Sequence, residues 1–366
     1  MKKITIIGAG NSGLAMAAHL SSCGENVALW NRSKEGIAKL KKTRTIYSYG
    51  AIEGEFKIDL VTNDIKEALD GADLILITTP ANSHRDLAEL IAKNIRKEAL
   101  IVLNPGRTFG ALEFREIFKR HNNEIRPTIA ETQTIIYTCR RTGDDSVNVI
   151  SLKNGVLLST FDSSRNNEVI KSLPECIQKY FVPAESMVQT SIGNVGMILH
   201  CAPLLLNTGW TENPNFNYKY YHDGITESIA AFLEKIDRER VEVSKLLGLK
   251  IESTEEWFKR AYDVQGSNLF ECIQNTKAYE MIGAPSTLNH RYIFEDIPCG
   301  LVPLESAGKS LGLSMTNTGI VIDLASALLD RDFRKEGRDL RNIFYDRDID
   351  FSTFFVGVIL NEQDIS

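Results

Sequence analysis

Apolar runs of three to five residues alternate with longer stretches of helical spacing through the first half of the chain. Residues 4–8, 27–30, 58–62, 74–78 and 101–103 read as short strands, the fourth (Leu-Ile-Leu-Ile-Thr) apolar on both faces. Helices are expected over 12–23, with Leu14, Ala17, Ala18 and Leu20 on one face, over 65–69, which Asp64 is placed to cap, and over 85–95. This βαβ rhythm with near-continuous apolar strands predicts a parallel sheet covered on both faces. Residues 147–152 and 155–160, joined by Lys153-Asn154, read as a hairpin extending that sheet. The rhythm stops near 180–186. Helices are then expected over 193–206, 226–247, 254–262 and 318–329, the third opened by a Ser253-x-x-Glu256 capping box. The organisation predicted is an α/β, doubly wound domain over 1–185 and an all-helical domain over 186–366. The polar and aromatic tail from Tyr345 carries no functional reading.

Composition narrows the class. With 366 residues, 43% hydrophobic and 25% charged, the chain has apolar material for two ordinary cores. A net charge of −6 and the lack of a long basic block argue against nucleic acid as a partner. The densest basic stretch, 39–44, suits a solvated helix face. No run of about 18 apolar residues occurs, so no membrane partner is expected. Gly8 cuts short the apolar run after Met1-Lys2-Lys3, which reads as a strand rather than a leader. Cys23, Cys139, Cys176, Cys201, Cys272 and Cys299 stand singly with no CxxC pair. That predicts reduced, mostly buried thiols in a cytoplasmic protein and suggests no metal site.

The pattern Gly8-Ala9-Gly10-Asn11-Ser12-Gly13 follows a strand and opens a helix, the context that makes a GxGxxG informative. Gly8 permits the tight turn, Gly10 lets backbone approach a pyrophosphate, and Gly13 lets helix and strand pack closely, with the helix N-terminus facing the phosphate charge. These are the features of a Rossmann dinucleotide site. About 20 residues on, where NAD sites usually carry an acidic residue, the chain has Asn31-Arg32-Ser33. Asn31 removes a charge that would repel a 2′-phosphate, Arg32 can pair with that phosphate, lie flat on the adenine or stand as a solvated surface residue, and Ser33 adds a hydroxyl, so NADP(H) is favoured over NAD(H). Thr78-Thr79-Pro80 and Asn104-Pro105-Gly106 end two later strands, where they should line a cofactor groove as well as terminate strands.

Hydride transfer needs a group for the accompanying proton, most often His. His19 lies in the first helix, His84 begins another, His121 and His222 fall in loops, and His290 precedes Arg291. His200 stands in an apolar helical stretch after the expected boundary; a His so placed is either a satisfied core residue or a catalyst. In His290-Arg291-Tyr292-Ile293-Phe294-Glu295-Asp296-Ile297-Pro298, Asp296 lies among apolar residues and could orient an imidazole. Arg291 could bind a substrate carboxylate, or form a structural ion pair with Glu295 or Asp296. Phe216, Tyr218, Tyr220 and Tyr221 offer either an aromatic pocket or packing. The helix over 226–247 is apolar enough to serve a homodimer interface.

At these residues the chain resembles the opine dehydrogenase family, the octopine/nopaline group. The matching stretches are Gly8 to Gly13, Leu103-Asn104-Pro105-Gly106, Ala111-Leu112-Glu113-Phe114-Arg115, Glu131-Thr132 and Asn194-Val195 up to His200. Further matches are Arg291 to Asp296, Gly300-Leu301-Val302-Pro303-Leu304 and Asp332 to Arg338. The resemblance implies a Rossmann domain followed by a helical one. The activity implied is reductive condensation of an amino acid's amino group with a 2-oxo acid such as pyruvate, both small-molecule partners. It also implies His200 as catalytic histidine, Asp296 as its carboxylate partner, Arg291 as the holder of a substrate carboxylate, and Glu131 with Thr132 near the amino-acid substrate. Two departures stand out. The family commonly has Pro directly after the histidine, whereas Cys201 follows here and proline comes at Pro203, and Asn31-Arg32 replaces an acidic residue. A reductase of a preformed 2-oxo acid, as in ketopantoate reductases, would rely on a catalytic lysine, and none adjoins His200. A non-catalytic NADP(H)-binding sensor would not need the His, Asp and Arg set.

Overall fold

The computed structural model describes residues 2–345, so most of the tail falls outside the described residues. The chain forms two compact units that part between Ser191 and Ile192. The parting lies a few residues beyond the expected 185, because Thr190 and Ser191 still donate hydrogen bonds to Glu131 of the first unit.

Among the described residues the first unit has twelve strands: β1 (Lys3–Ile7), β2 (Asn26–Trp30), β3 (Thr45–Gly50), β4 (Gly54–Lys57), β5 (Leu60–Thr62), β6 (Leu74–Ile77), β7 (Leu100–Leu103), β8 (Thr128–Thr132), β9 (Tyr137–Arg141), β10 (Ser146–Leu152), β11 (Val156–Thr160) and β12 (Phe181–Pro183). Eight form one sheet in the order β12-β11-β8-β7-β6-β1-β2-β5, parallel except where β11 runs against β8. The winding reverses beside β1, toward β2 and β5 on one side and toward β6, β7 and β8 on the other. Such a switch point is where open α/β sheets receive ligands. The turns after β1, β2, β6 and β7 carry Gly8, Asn31, Thr79 and Asn104.

The expected hairpin does not form. β11 joins the large sheet beside β8 and β12, while β10 belongs to a second sheet ordered β4-β3-β10-β9. Lys153-Asn154 therefore carries the chain from one sheet to the other. The second sheet packs over the helix Asn11–Ser22, which explains another difference from expectation. Leu14, Ala15, Met16, Ala17, Ala18 and Leu20 are all fully buried, so this helix is enclosed on every side rather than amphipathic. The short helix Ile65–Leu69 is capped by the Asp64 side chain, which accepts from Lys66 N–H at 2.9 Å. No helix of the described residues is long and apolar enough to cross a membrane.

The described residues of the second unit are helical, with a single isolated bridge among them between Lys219 and Gly283. At its centre the helix Glu227–Leu246 packs against Gly196–Leu206, Leu269–Gln274, Val302–Ser310 and Thr316–Leu329, so its apolar face is committed within its own unit. Fully buried Arg240 bonds Asp237 Oδ1 at 2.7 Å and donates to the carbonyls of Ile192 and Glu252. Asp237 also accepts from Thr254 N–H and hydroxyl, at 2.7 Å each. Every polar arm of this buried pair that is described above has a partner, the condition under which such a pair is tolerated. The capping box of Thr254–Tyr262 is present as expected. Glu239 accepts from Asn317 and Thr318 N–H at 2.8 Å each, which lets the following helix begin at Thr316, ahead of the expected 318.

Candidate active site

In the first unit the glycine turn has the geometry its sequence demands. Gly8 has φ +109°, and a Cβ there would stand 2.8 Å from the Thr79 side chain. A Cβ on Gly13 would stand 1.8 Å from the Gly8 carbonyl oxygen, so strand and helix approach too closely for any larger residue. At Gly10 a Cβ would meet no protein atom within 4 Å. Protein packing thus does not require glycine there, and the space beside its backbone is open to a phosphate group. Gly10 is also the N-cap of the helix Asn11–Ser22, and no side chain caps that end. The amide cradle fits a dinucleotide pyrophosphate.

Asn31 sits where the acidic residue of an NAD site would lie. Its Oδ1 accepts from Ala9 N–H at 3.2 Å and its Nδ2 donates to Ser33 O at 3.1 Å, tying the end of β2 to the glycine turn. The Arg32 side chain is 80% exposed and reaches Asp86 only at 4.0 Å. Ser33 Oγ donates to Glu35 at 3.0 Å and accepts from Gly36 N–H, and the Glu35 carboxyl is held low by its own backbone N–H and by Ser33. Arg141, which no motif flags, organises the same region. Its N–H donates to Asn11 Oδ1 at 2.9 Å, and its guanidinium donates to the carbonyls of Ala9, Gly36 and Gly143. Ser12 is half-buried in the first helical turn, and Thr79 accepts from Ser83 Oγ at 2.8 Å, just before exposed Pro80.

Asn104 is buried, donates to Val102 O at 2.9 Å, and precedes a cis Pro105. Glu131 and Thr132, at the end of β8, lie against this turn and are fully buried. Glu131 accepts from Ala111 N–H at 3.0 Å, Thr190 Oγ1 at 2.7 Å and Ser191 Oγ at 2.5 Å. Thr132 Oγ1 donates to Leu103 O at 3.3 Å, and its carbonyl accepts from Gly106 N–H. A Cβ on Gly106 would stand 2.2 Å from a Glu131 carboxylate oxygen, so the turn rests directly on that side chain.

In the second unit the structure brings His200 and Asp296 together. His200 Nδ1 lies 2.8 Å from Asp296 Oδ2, the imidazole 14% exposed and the carboxylate fully buried. An ionised carboxylate only accepts, so with that partner Nδ1 carries the hydrogen and Nε2 is the basic nitrogen of the neutral ring. The backbone N–H of Leu301 reaches the Asp296 carbonyl at 3.0 Å, a π-helical turn that follows Asp296. A Cβ on Gly300 would stand 2.8 Å from Met197 Cβ, so glycine lets this turn approach the helix Gly196–Leu206 that carries His200. Tyr292 stacks on the imidazole, with centroids 3.8 Å apart and planes 12° apart. His290 packs edge-on to Tyr292 and is held below its ordinary pKa by burial and by Arg291.

The displaced proline has a structural counterpart. Pro203 lies inside the helix, where it cannot donate to the Leu199 carbonyl. Tyr220 Oη donates instead, to His200 O at 2.5 Å and Leu199 O at 3.5 Å, and Cys201 Sγ donates to Tyr292 O at 3.4 Å. Tyr218, Tyr220 and Tyr221 are buried as packing, and Phe216 is exposed against Trp210. Arg291 meets Glu295 at 3.4 Å, yet its side chain is 57% exposed, so the ion pair leaves the guanidinium accessible. Tyr220, Cys201 and Arg141 have contacts that run to distant backbone, and no local spacing announces them.

Comparison with known proteins agrees with this arrangement. Residues 183–329 match the family described as NAD/NADP octopine/nopaline dehydrogenase, alpha-helical domain, and residues 3–106 match the NAD-dependent glycerol-3-phosphate dehydrogenase N-terminus. The chain is 36% identical over 343 residues to an opine dehydrogenase of Arthrobacter sp. (strain 1C), covering 93% of this chain and 95% of the relative. An octopine dehydrogenase structure with NADH and agmatine superposes with a TM-score of 0.80 at 17% identity, over 98% of each chain. A yersinopine dehydrogenase structure with NADP+ gives 0.73 at 12% identity, over 97% of this chain and 98% of the other. With its Rossmann and helical units and a full-length relative at that identity, the chain belongs to the opine dehydrogenase family.

Proposed function

We propose that the protein condenses the amino group of an amino acid with a 2-oxo acid such as pyruvate and reduces the resulting imine, forming a CH–NH bond at the expense of NADPH. The observation that carries this reading is the His200–Asp296 pair beside an accessible Arg291. His200 Nε2 exchanges the proton that imine formation and reduction require, while Asp296 fixes the tautomer and the ring orientation. Arg291 holds the carboxylate of the oxo acid through paired N–H donors. Glu131 and Thr132 serve the substrate by fixing the Asn104–Gly106 turn. A reduced nicotinamide bound in the first unit would supply the hydride. Gly8, Gly10, Asn11, Ser12 and Gly13 cradle its pyrophosphate, and Asn31, Arg32 and Ser33 receive the adenosine ribose, with Arg32 as the 2′-phosphate ligand. Thr79, Pro80 and Asn104 border the same groove. The cytoplasm is the proposed setting, on the singly spaced cysteines.

The test is NADPH oxidation with pyruvate against each amino acid in turn. Turnover that requires both substrates is expected. Oxidation with a 2-oxo acid alone would replace this reading with a simple reductase, and tight NADPH binding with no turnover across the matrix would replace it with a sensor.

A further inference from the structure

Outside this site, the fold gathers three soft-metal ligands that the sequence scatters. His19, Cys23 and Cys176 each present a ligand atom, and these atoms all lie within 4.8 Å of one another. His19 and Cys23 are four apart at the end of the helix Asn11–Ser22, so they share one face, and the short helix Glu175–Gln178 brings Cys176 against it. We propose that His19, Cys23 and Cys176 form a binding site for a thiophilic d10 cation such as Zn2+.

Three features support the assignment. Tetrahedral zinc with bonds of about 2.3 Å to sulfur and about 2.0 Å to nitrogen sets ligand atoms roughly 3.5–3.9 Å apart. The observed separations close to that with a small movement of exposed Cys23. His19 Nδ1 lies 3.1 Å from buried Tyr137 Oη, which fixes the ring and leaves Nε2 as the ligand nitrogen, the outer-shell arrangement that metal-bound histidines use. Two thiolates and a neutral imidazole around a divalent cation sum to zero charge, which suits a half-buried site flanked by Lys179 near His19 and Glu25 near Cys176. A three-ligand set leaves the fourth position to water or a small anion. The two helix ligands lie toward the far end from the glycine turn, roughly 13 Å (His19) and 20 Å (Cys23) along the axis from Gly10, so the ion does not touch the pyrophosphate cradle.

The experiment titrates the reduced full-length protein with Co2+ and then displaces it with Zn2+. One equivalent with thiolate-to-cobalt charge-transfer absorption is expected in the wild type. C23S and C176S should each lose that absorption, and H19N should bind at least about tenfold more weakly, with dehydrogenase turnover reporting that each variant has folded. Uptake by the wild type no greater than by the C23S/C176S double variant overturns the proposal. Formation of a Cys23–Cys176 disulfide in air, mapped by mass spectrometry, with no metal uptake by the reduced protein also overturns it and reassigns the pair to thiol redox chemistry.

Discussion

At the scale of single residues, the proposed chemistry rests on a proton carrier and its orienting carboxylate. His200→Ala is expected to lower kcat by about 10²–10⁴-fold, the usual contribution of a positioned acid–base group. Tight binding of NADPH should be retained, so steady-state kinetics and cofactor fluorescence together separate the roles. Asp296→Asn keeps the shape but removes the charge that fixes Nδ1–H, so it should lose kcat with little change in KM for either substrate. A kcat within a few-fold of wild type in either variant would remove the dyad from the mechanism. Arg32→Ala should weaken NADPH on the order of tenfold and leave NADH nearly unchanged, measured by competitive binding. Equal losses for both cofactors would instead make Arg32 an adenine contact. The residues that make these predictions possible were legible because each stands in an unusual local context: glycines at fixed offsets, a histidine in an apolar helix, an aspartate among apolar neighbours. Arg141 and Tyr220 were not legible, since a guanidinium or hydroxyl reaching distant carbonyls leaves no local trace.

Among the elements, agreement was best where the determinant is local. Ser253 and Glu256 bond each other's backbone amides, so the helix Thr254–Tyr262 was readable to the residue. The segments around Lys153-Asn154 failed because strand partners are chosen by sheets far away in sequence, and two adjacent β runs look alike whether or not they pair. The helix Asn11–Ser22 looked amphipathic because its other faces mix small and polar residues with Met16, and their burial depends on a second sheet that no local pattern reveals. Gly13→Ala tests the closest approach between elements. With a backbone oxygen 1.8 Å from the new Cβ, the cost should exceed the roughly 1–3 kcal/mol of ordinary overpacking, seen as a large fall in Tm together with lost cofactor binding. In the second unit, Arg240→Leu leaves Asp237 as an uncompensated buried charge and should cost about 3–5 kcal/mol in urea unfolding. A loss below about 1 kcal/mol would mean that the pair behaves as a surface one.

Across the whole molecule, the division into a Rossmann unit and a helical unit was legible from the change of periodicity alone, while the placing of the boundary depended on hydroxyls bound to Glu131. Acid stability belongs to this scale. Burial works to raise the Glu305 carboxyl, but hydrogen bonds from Arg334 and Lys309 outweigh it, so its pKa falls below the ordinary 4.5. The stabilisation is therefore complete above the unfolded value and is lost as pH drops through the lower folded one. Glu305→Gln should lower Tm at neutral pH and flatten its decline below about pH 4.5. An unchanged acid limb would deny the carboxylate that role. The proline inside the histidine-bearing helix reaches further still. A proline directly after the histidine would release a different carbonyl, one that Tyr220 does not serve, whereas Pro203 releases that of Leu199. Tyr220→Phe should accordingly cost about 1–3 kcal/mol here. The same hydroxyl holds the His200 carbonyl more tightly, at 2.5 Å, so its loss should also loosen the turn that carries the imidazole. A chain with proline at the position of Pro203 should therefore tend to keep a hydroxyl at the position of Tyr220, which reaches the freed Leu199 carbonyl and the neighbouring His200 carbonyl together.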